Sequence, residues 1–263
     1  MPEITLRGVR FNYQLDGAAN GVPLVLSNSL ASNVDMWAAQ MPALIAGGWR
    51  VLRYDNRGHG HTEAVPGPYT IEMMSDDVVG LMDAVGFTTA HYCGLSLGGM
   101  IGQMTAVRHA ARLRSLTLCD TAAYMGPQNL WHERIAAVTA GGMEAVVEAT
   151  LGRWFTPAGR TYLPDQIAAI RAGILATTVM GFCGCCTAIR DMDQRESIRA
   201  ISVPTHVIVG EDDPGTPVAA AQLIHQRIAG SRLTIIPAAA HLVNVEQVSA
   251  FNAALFDFLE RQR

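Results

Sequence analysis

A serine set among glycines is the feature that most constrains the fold of this chain of 263 residues. TTAHYC (88–93) reads as a short buried strand, and MIGQMTAVRHA (100–110) reads as a helix. Between them lies GLSLGG (94–99), although glycine weakens both strands and helices. This run of small residues indicates a turn that is too sharp to leave room for side chains.

The residues Gly94 to Gly98 match the pattern G-x-S-x-G, in which a serine on a strained strand-to-helix turn acts as a nucleophile. The pattern alone is a weak signal, but the predicted strand before it and the helix after it make the match specific. In that setting the hydroxyl of Ser96 stands at a helix N-terminus, where backbone N–H groups favour developing negative charge. We therefore prefer a nucleophilic serine to a tight turn with an incidental one.

Strand-like and helix-like segments alternate along most of the chain, which predicts a mainly parallel sheet covered by helices on both faces. The alternation stops after CDTAA, and the segments that follow are mostly helical until PTHVIVG (204–210). We expect an α/β fold whose core is formed by residues 1–122 and 199–263. Residues 123–198 would form a helical cap, inserted after the sixth strand.

Four segments of the core carry more specific predictions. ITLRG and VRFNYQLDG, near the N-terminus, have the pattern of a hairpin. VDMWAAQMPALIAGG (34–48) is predicted to form one helix, because Trp37, Met41 and Leu44 have helical spacing and glycines close the segment. NVEQVSAFNAALFDFLERQ (244–262) is predicted to form a single last helix.

A serine nucleophile needs a base, and the base needs an acid that orients it. In this architecture the chain order is serine, acid, histidine. His241 follows a predicted strand and a loop of small residues and precedes the last helix, so it is the expected base. His206 and His225 lie inside a predicted strand and a predicted helix, where a packing or surface role is more common.

The acid is expected within VIVGEDDPGTP (207–217), where three acidic residues follow the predicted strand that ends at Gly210, at the same edge of the sheet. Glu211, Asp212 and Asp213 are all available there. Their spacing alone does not separate them.

Charge and hydropathy narrow the function classes. The net charge is −4, with acidic and basic residues interspersed, so we expect neither a nucleic-acid partner nor an anionic membrane partner. No apolar run approaches the length of a membrane-spanning helix, and the first residues lack the pattern of a signal peptide. We expect a soluble, cytoplasmic protein with a small-molecule substrate, and the sequence specifies no oligomeric state.

Cysteines and paired histidines give no sign of a metal site. Cys183, Cys185 and Cys186 crowd into CGCC without a histidine close by in sequence, so we expect small buried side chains in a helix. His59 and His61 in RGHGH lack a nearby carboxylate cluster and are interpreted as loop residues.

The chain resembles the α/β-hydrolases and, more narrowly, the 3-oxoadipate enol-lactonases of bacterial aromatic-compound degradation. The strand-to-helix turn around Ser96 and the RGHG loop are shared with many α/β-hydrolases. More specific to the lactonases are the segments SNSL, RWFTP, RDMDQR and NVEQ. The segments that carry the resemblance are LSNSL (26–30), VLRYDNRGHG (51–60), GPYTIE (67–72), CGLSLGGMIGQ (93–103), RWFTP (153–157), AIRDMDQR (188–195), VIVGEDDPGTP (207–217) and AAHLVNVEQ (239–247).

The resemblance implies roles for particular residues. The family's acid lies three residues after the glycine that ends its strand, here Gly210, which makes Asp213 the acid. The oxyanion hole is formed by the N–H groups of Leu97 and Leu30, and Ser29 beside Leu30 is expected to contact the substrate.

The resemblance also implies the activity, which is hydrolysis of the enol-lactone through an acyl-enzyme, with no metal ion and no organic cofactor. A promiscuous carboxylesterase or cofactor-free perhydrolase is the main alternative, and a hydrolase-fold protein that only binds its ligand is a more remote one. The chain departs from the family pattern at Ala31, where glycine is usual, and at His61, where serine is usual.

The predicted cap supplies further binding residues. Trp131 and Trp154 are expected to line the substrate pocket, unless they simply pack the cap onto the sheet. The lactone carries a free carboxylate, and a buried carboxylate without a partner is costly. Arg134 and Arg153 lie beside the two tryptophans in sequence and are the expected partners, with a solvated helix-face arginine as the alternative.

Overall fold

Eight strands form one sheet in the computed structural model, which describes residues 2–263. The order across the sheet is β1-β2-β4-β3-β5-β6-β7-β8. The strands are β1 (Glu3–Leu6), β2 (Val9–Asp16), β3 (Val22–Ser27), β4 (Trp49–Tyr54), β5 (Ala90–Leu95), β6 (Leu113–Cys119), β7 (Thr205–Gly210) and β8 (Arg232–Ile236). Strands β1 and β2 form the predicted hairpin, β2 is antiparallel to β4, and the remaining neighbours are parallel.

Eleven α-helices occur in the same span of the chain. They are α1 (Met41–Ala46), α2 (Ile71–Ala84), α3 (Leu97–Arg108), α4 (Gln128–Gly141), α5 (Glu144–Trp154), α6 (Pro157–Tyr162), α7 (Pro164–Ala176), α8 (Val179–Asp191), α9 (Val218–Arg227), α10 (Val243–Glu246) and α11 (Val248–Arg261). Five of them, α4 to α8, lie between the sixth and seventh strands. The predicted α/β architecture with a helical cap after the sixth strand is thereby confirmed, and the domain boundaries after residues 122 and 198 stay a prediction.

The central strands are buried on both faces. Every residue of β5 and of β7 is buried, whereas β1, at the edge, is exposed or half-buried along its length. Helices on both faces account for this, since a doubly covered strand reads as a continuous apolar run. Because β3 and β5 to β8 run parallel, the loops that leave their carboxyl ends meet at one edge of the sheet.

The single helix predicted over residues 34–48 is wrong. The structure has a 3₁₀ turn at Val34–Trp37 and a separate helix, α1, that begins at Met41. Pro42 is the physical reason, because proline has no N–H to donate and fits only the first turn of a helix.

The single last helix is also wrong. Gln247 has a non-helical backbone (φ −124°, ψ 56°) and separates α10 from α11. The short helix α6 was not predicted either, although Thr156 and Pro157 carry its signal. The Thr156 side chain accepts the Gly159 N–H, and Pro157 occupies the first turn.

Helix α8 attaches the cap to the core at a close backbone approach. A Cβ on Gly58 would lie 2.3 Å from the Gly181 Cα, and the Thr178 hydroxyl donates to the Gly58 carbonyl at 2.9 Å. Cys185 and Cys186 are buried in this helix as free thiols, as predicted, whereas Cys183 is only half-buried. The first anchor of the cap is therefore a contact between two glycines, reinforced by one threonine.

No single helix within residues 2–263 is long and apolar enough to cross a membrane. Helices α7 and α8 reach that length and composition only as a pair, and they meet at 92°.

Gly98 gives a stability prediction. A Cβ at this position would lie 2.2 Å from the Ser27 carbonyl oxygen, a backbone atom of a central strand. We expect Gly98→Ala to lower the free energy of unfolding by about 3 kcal/mol, because neither β3 nor α3 has room to shift. Urea unfolding followed by circular dichroism measures this. Gly152→Ala is the matched control, since a Cβ there has no neighbour within 4 Å, and it should raise stability by up to about 1 kcal/mol. Equal stabilities of the two variants would contradict the account.

Candidate active site

Ser96 occupies a strained turn between β5 and α3. Its backbone lies in the left-handed region, at φ 58° and ψ −115°. The Ser96 N–H donates to the Cys119 carbonyl at 2.9 Å, and the Thr121 hydroxyl donates to the Ser96 carbonyl at 2.7 Å. These bonds hold a conformation that costs on the order of 1–3 kcal/mol for a residue with a side chain.

The glycines around Ser96 are required because a side chain at these positions would clash with neighbouring atoms, and not because the turn must be flexible. A Cβ on Gly94 would lie 2.3 Å from the Gly98 carbonyl oxygen. A Cβ on Gly99 would lie 2.6 Å from the Thr121 Cβ. The turn therefore requires residues without side chains on both sides of the serine, as its sequence predicts.

His241 and Asp213 form a buried hydrogen-bonded pair. The His241 Nδ1–H donates to the Asp213 Oδ2 at 2.8 Å. The same oxygen accepts the Thr216 hydroxyl at 2.6 Å, and Oδ1 accepts the N–H groups of Gly215 and Thr216 at 2.8 and 3.1 Å. Four donors thus fix the carboxylate, and the carboxylate fixes the imidazole.

The pKa of Asp213 reflects this surrounding. Burial acts to raise it, but the charge of His241 and the hydrogen bonds from His241 and Thr216 outweigh burial and lower the pKa to about 2. Asp213 is therefore an anion across the neutral range.

The three acids that spacing left open differ in the structure. Glu211 and Asp212 are exposed, and Asp213 is buried against His241. The backbone N–H groups of Glu211 and Asp212 donate to Ile236 and Ala239, so the loop is fixed in this orientation. Only Asp213 of the three contacts the histidine in the part of the chain described, and its catalytic role stays a prediction.

Ser96 and His241 line the same cavity, which has a volume of about 260 Å³. Within the described chain no hydrogen bond joins the two side chains. Such contacts commonly form only when substrate is bound. The other predicted binding residues also line this cavity, and they are Ser29, Leu30, Trp131, Arg134, Arg153 and Trp154.

The predicted oxyanion hole is built on the loop after β3. The Asn28 carbonyl accepts the Gly98 N–H at 3.0 Å, and the Asn28 side-chain amide donates to the Tyr54 carbonyl at 2.7 Å. Leu30 follows on this loop, while Leu97 is the first residue of α3, where N–H groups lack intrahelical acceptors. Ala31 takes φ 60°, a conformation that glycine adopts without cost, so the family's usual glycine has a physical reason here.

Both cap tryptophans reach the cavity and also pack. Trp131 is 6% exposed, and its indole N–H donates to the Met125 carbonyl at 2.6 Å. The Trp154 ring lies 6.4 Å from the His241 ring, centroid to centroid, at an interplanar angle of 26°. The two roles considered from the sequence, lining the substrate pocket and packing the cap onto the sheet, are therefore compatible.

Two arginines face the cavity without a counter-charge. The Arg134 guanidinium lies 4.7 Å from the centre of the Trp131 ring, and Arg153 donates to the Thr150 hydroxyl at 3.1 Å. Neither belongs to an ion pair among residues 2–263. Burial, and then the charge of Arg134, lowers the pKa of Arg153 to about 10. Two half-buried cations that repel each other are the arrangement an anionic ligand stabilises.

Sequence reasoning missed two residues at the acid. Thr216, whose hydroxyl supports Asp213, had a weak signal in its spacing of three residues from the acid. Asp120 follows β6, and its Oδ1 accepts the Gly210 N–H at 2.8 Å. Burial, and then the nearby charge of Asp213, raises the pKa of Asp120 well above its usual range.

The paired histidines of the RGHGH loop do not form a metal site. His59 is fully buried, with Nδ1 3.0 Å from the Arg57 carbonyl, and burial lowers its pKa to about 4. Across the described residues no group of three His, Cys, Asp or Glu side chains could hold a metal ion.

Comparison with known proteins relates the chain to one family and to particular relatives. The model of the α/β hydrolase fold family matches residues 22–248. The 3-oxoadipate enol-lactonase 2 of Acinetobacter baylyi is 34% identical over 98% of this chain and 96% of its own length. The crystal structure of an enol-lactonase from Burkholderia xenovorans LB400 is 41% identical, with a TM-score of 0.96 over 98% of this chain and 100% of that one. A putative carbamate hydrolase, RutD, of Variovorax paradoxus is 30% identical over 95% of this chain and 96% of its own length.

The Asp213–His241 pair gives a prediction for activity. Asp213→Asn should lower kcat for a p-nitrophenyl ester by about 10⁴-fold, because an amide no longer holds the imidazole in its productive tautomer. Asp212→Asn is the matched control and should cost little, since its side chain is exposed. The opposite order would move the acid to Asp212.

The same carboxylate gives a prediction for stability against pH. A pKa lowered from 3.8 to about 2 on folding stabilises the folded state above the unfolded pKa, and this contribution is lost as the pH falls towards 2. The difference in unfolding free energy between wild type and Asp213→Asn should therefore shrink by about 1 kcal/mol between about pH 6 and pH 3. Urea unfolding at both pH values measures it, with Asp212→Asn as the variant that should show no such change.

Proposed function

The chain belongs to the α/β-hydrolase family, and we propose that it hydrolyses 3-oxoadipate enol-lactone to 3-oxoadipate through an acyl-enzyme on Ser96. The observation that carries this proposal is that two arginines without a counter-charge, Arg134 and Arg153, line the cavity that also holds Ser96 and His241. The lactone has both features that such a cavity recognises, an ester carbonyl and a free carboxylate. The enol-lactonases among its relatives support the same substrate.

The first half of the reaction forms the acyl-enzyme. His241 takes the proton of the Ser96 hydroxyl as the serine oxygen attacks the lactone carbonyl carbon. The N–H groups of Leu30 and Leu97 stabilise the tetrahedral oxyanion, each lowering the barrier by roughly 3 kcal/mol. Asp213 holds the imidazole and offsets its positive charge, which its hydrogen bond of 2.8 Å favours.

Cleavage of the ring C–O bond completes the acyl-enzyme, and hydrolysis of that acyl-enzyme then releases the product. The ring oxygen leaves as an enolate, takes its proton from His241, and ketonisation of the enol draws the reaction forward. The acyl group stays on Ser96, tethered to the rest of the product. His241 then takes a proton from a water molecule that attacks the acyl carbon, and it returns this proton to the Ser96 oxygen as the bond between that oxygen and the acyl carbon breaks and frees the carboxylate. Every proton transfer uses one histidine, so the chemistry requires no metal ion and no organic cofactor.

The arginines favour the lactone over an uncharged substrate. Simple uncharged carboxylic esters do not require two cations in the cavity. A carboxylate between the two guanidiniums relieves their mutual repulsion and accepts hydrogen bonds in a fork geometry. By this reasoning the protein acts in the degradation of aromatic compounds in the cytoplasm, and broader esterase or perhydrolase activity is the alternative.

A comparison of two substrates tests the proposal. Arg134→Met and Arg153→Met are each assayed on the enol-lactone and on an uncharged ester of similar size. Loss of a carboxylate-binding arginine should lower kcat/KM for the lactone by about tenfold or more, equivalent to about 1.4 kcal/mol, and spare the neutral ester.

Two controls sharpen the result. Arg171→Met removes an exposed cap arginine that pairs with Glu148, and it should leave both substrates unaffected. Ser96→Ala should abolish turnover of both while the protein stays folded. Wild-type protein that hydrolyses the neutral ester better than the lactone, with no loss in either arginine variant, would overturn the lactone and favour a general esterase.

A further inference from the structure

Two segments that resemble the lactonases, RWFTP and NVEQ, meet at Glu246. This side chain is 5% exposed, and none of the ion pairs in residues 2–263 includes it. Its Oε1 accepts the N–H of Thr156 at 2.9 Å and also the Thr156 hydroxyl. Its Oε2 accepts the N–H of Ala240 at 2.8 Å. A buried carboxylate thus receives three hydrogen bonds, two from the cap and one from the loop that carries His241.

Both sequence neighbours of His241 are hydrogen-bonded, directly or through Glu246, to residues 154–156 of the cap. The Ala240 N–H reaches them through Glu246, and the Leu242 N–H donates directly to the Trp154 carbonyl at 3.1 Å. The Trp154 ring also stacks on the imidazole. The backbone on either side of the histidine is therefore fixed by residues 154–156 of the cap.

The cap closes tightly over the Glu246 carboxylate. A Cβ on Gly159 would lie 2.0 Å from Oε1, so this position admits only glycine while the carboxylate stays where it is. Glu246 does not line the cavity that holds Ser96. Its influence on the reaction must act through the histidine loop.

We propose that Glu246 is a positioning residue that holds His241 in register with the cap. A glutamine cannot replace it, because an amide has one oxygen, which would satisfy either the Thr156 side or the Ala240 side but not both. The inference rests on Ser96 and His241 acting together as proposed above, and it does not depend on the lactone being the substrate.

The cap offers a matched pair of threonines for the test. Thr156 and Thr178 each cap a helix with the side chain, accepting from Gly159 and Gly181, and each also binds the core. The Thr156 hydroxyl donates to Glu246, whereas the Thr178 hydroxyl donates to Gly58, away from the histidine loop. Valine at either position removes the same chemistry from two different anchors of the cap.

The experiment compares Glu246→Gln, Thr156→Val, Thr156→Ser and Thr178→Val with wild type on a p-nitrophenyl ester, below the unfolding temperature of every variant. We expect Glu246→Gln to lower kcat by about tenfold or more with little change in KM, because a displaced base slows chemistry rather than binding. Thr156→Val should lower kcat to a smaller extent, Thr156→Ser should restore it, and Thr178→Val should lower stability without lowering kcat. A kcat for folded Glu246→Gln within about twofold of wild type, or an equal loss in Thr178→Val, would overturn the inference.

A second readout requires no turnover. The imidazole proton that His241 shares with Asp213 is sought by proton NMR and identified by its absence in Asp213→Asn. It should broaden or shift in Glu246→Gln and stay unchanged in Thr178→Val. If the wild-type protein has no esterase or lactonase activity, the proposed function fails while this spectrum still decides the role of Glu246. An unchanged signal in Glu246→Gln would mean that the residue supports only the cap.

Discussion

The close approach of α3 to the backbone of β3 is the contact on which the rest of the site depends. The Gly98 N–H donates to the Asn28 carbonyl at 3.0 Å, and the space above Ser27 excludes any side chain at residue 98. One contact therefore positions Ser96, the proposed nucleophile, at the start of α3 and, two residues after Asn28, the Leu30 N–H that is proposed for the oxyanion hole. Ser96 follows β5 and Leu30 follows β3, and these two strands pair with each other. The proposed nucleophile and the proposed oxyanion loop therefore cannot move independently.

The elements nearest this contact could be predicted from sequence, because their causes are local. Glycines around Ser96 report a steric limit that any chain making this turn must meet, and His241 follows a strand within a few residues. Spacing did not decide among Glu211, Asp212 and Asp213, because the way the chain turns through Gly215 and Thr216 determines which carboxylate is buried. The resemblance to the lactonases supplied the choice that spacing did not.

Some elements that sequence reasoning missed had local signals, and others depend on partners distant along the chain. Proline at residue 42 gave a local reason to start α1 late, and the periodicity of the flanking apolar residues concealed it. The break at Gln247 and the burial of Glu246 have no local signal, because Thr156, which binds Glu246, lies 90 residues away. From sequence alone the Glu246 carboxylate is predicted to be exposed, because only the folded cap buries it.

The two anchors of the cap have a mechanical consequence. One is the glycine contact between Gly58 and Gly181, and the other joins Thr156 to Glu246 and the histidine loop. A shift of the cap relative to the core would strain the hydrogen bonds at both anchors. Sliding the cap sideways would drag Ala240, and with it the imidazole. The position of the cap and the orientation of the imidazole are for this reason linked through Thr156, Glu246 and Ala240.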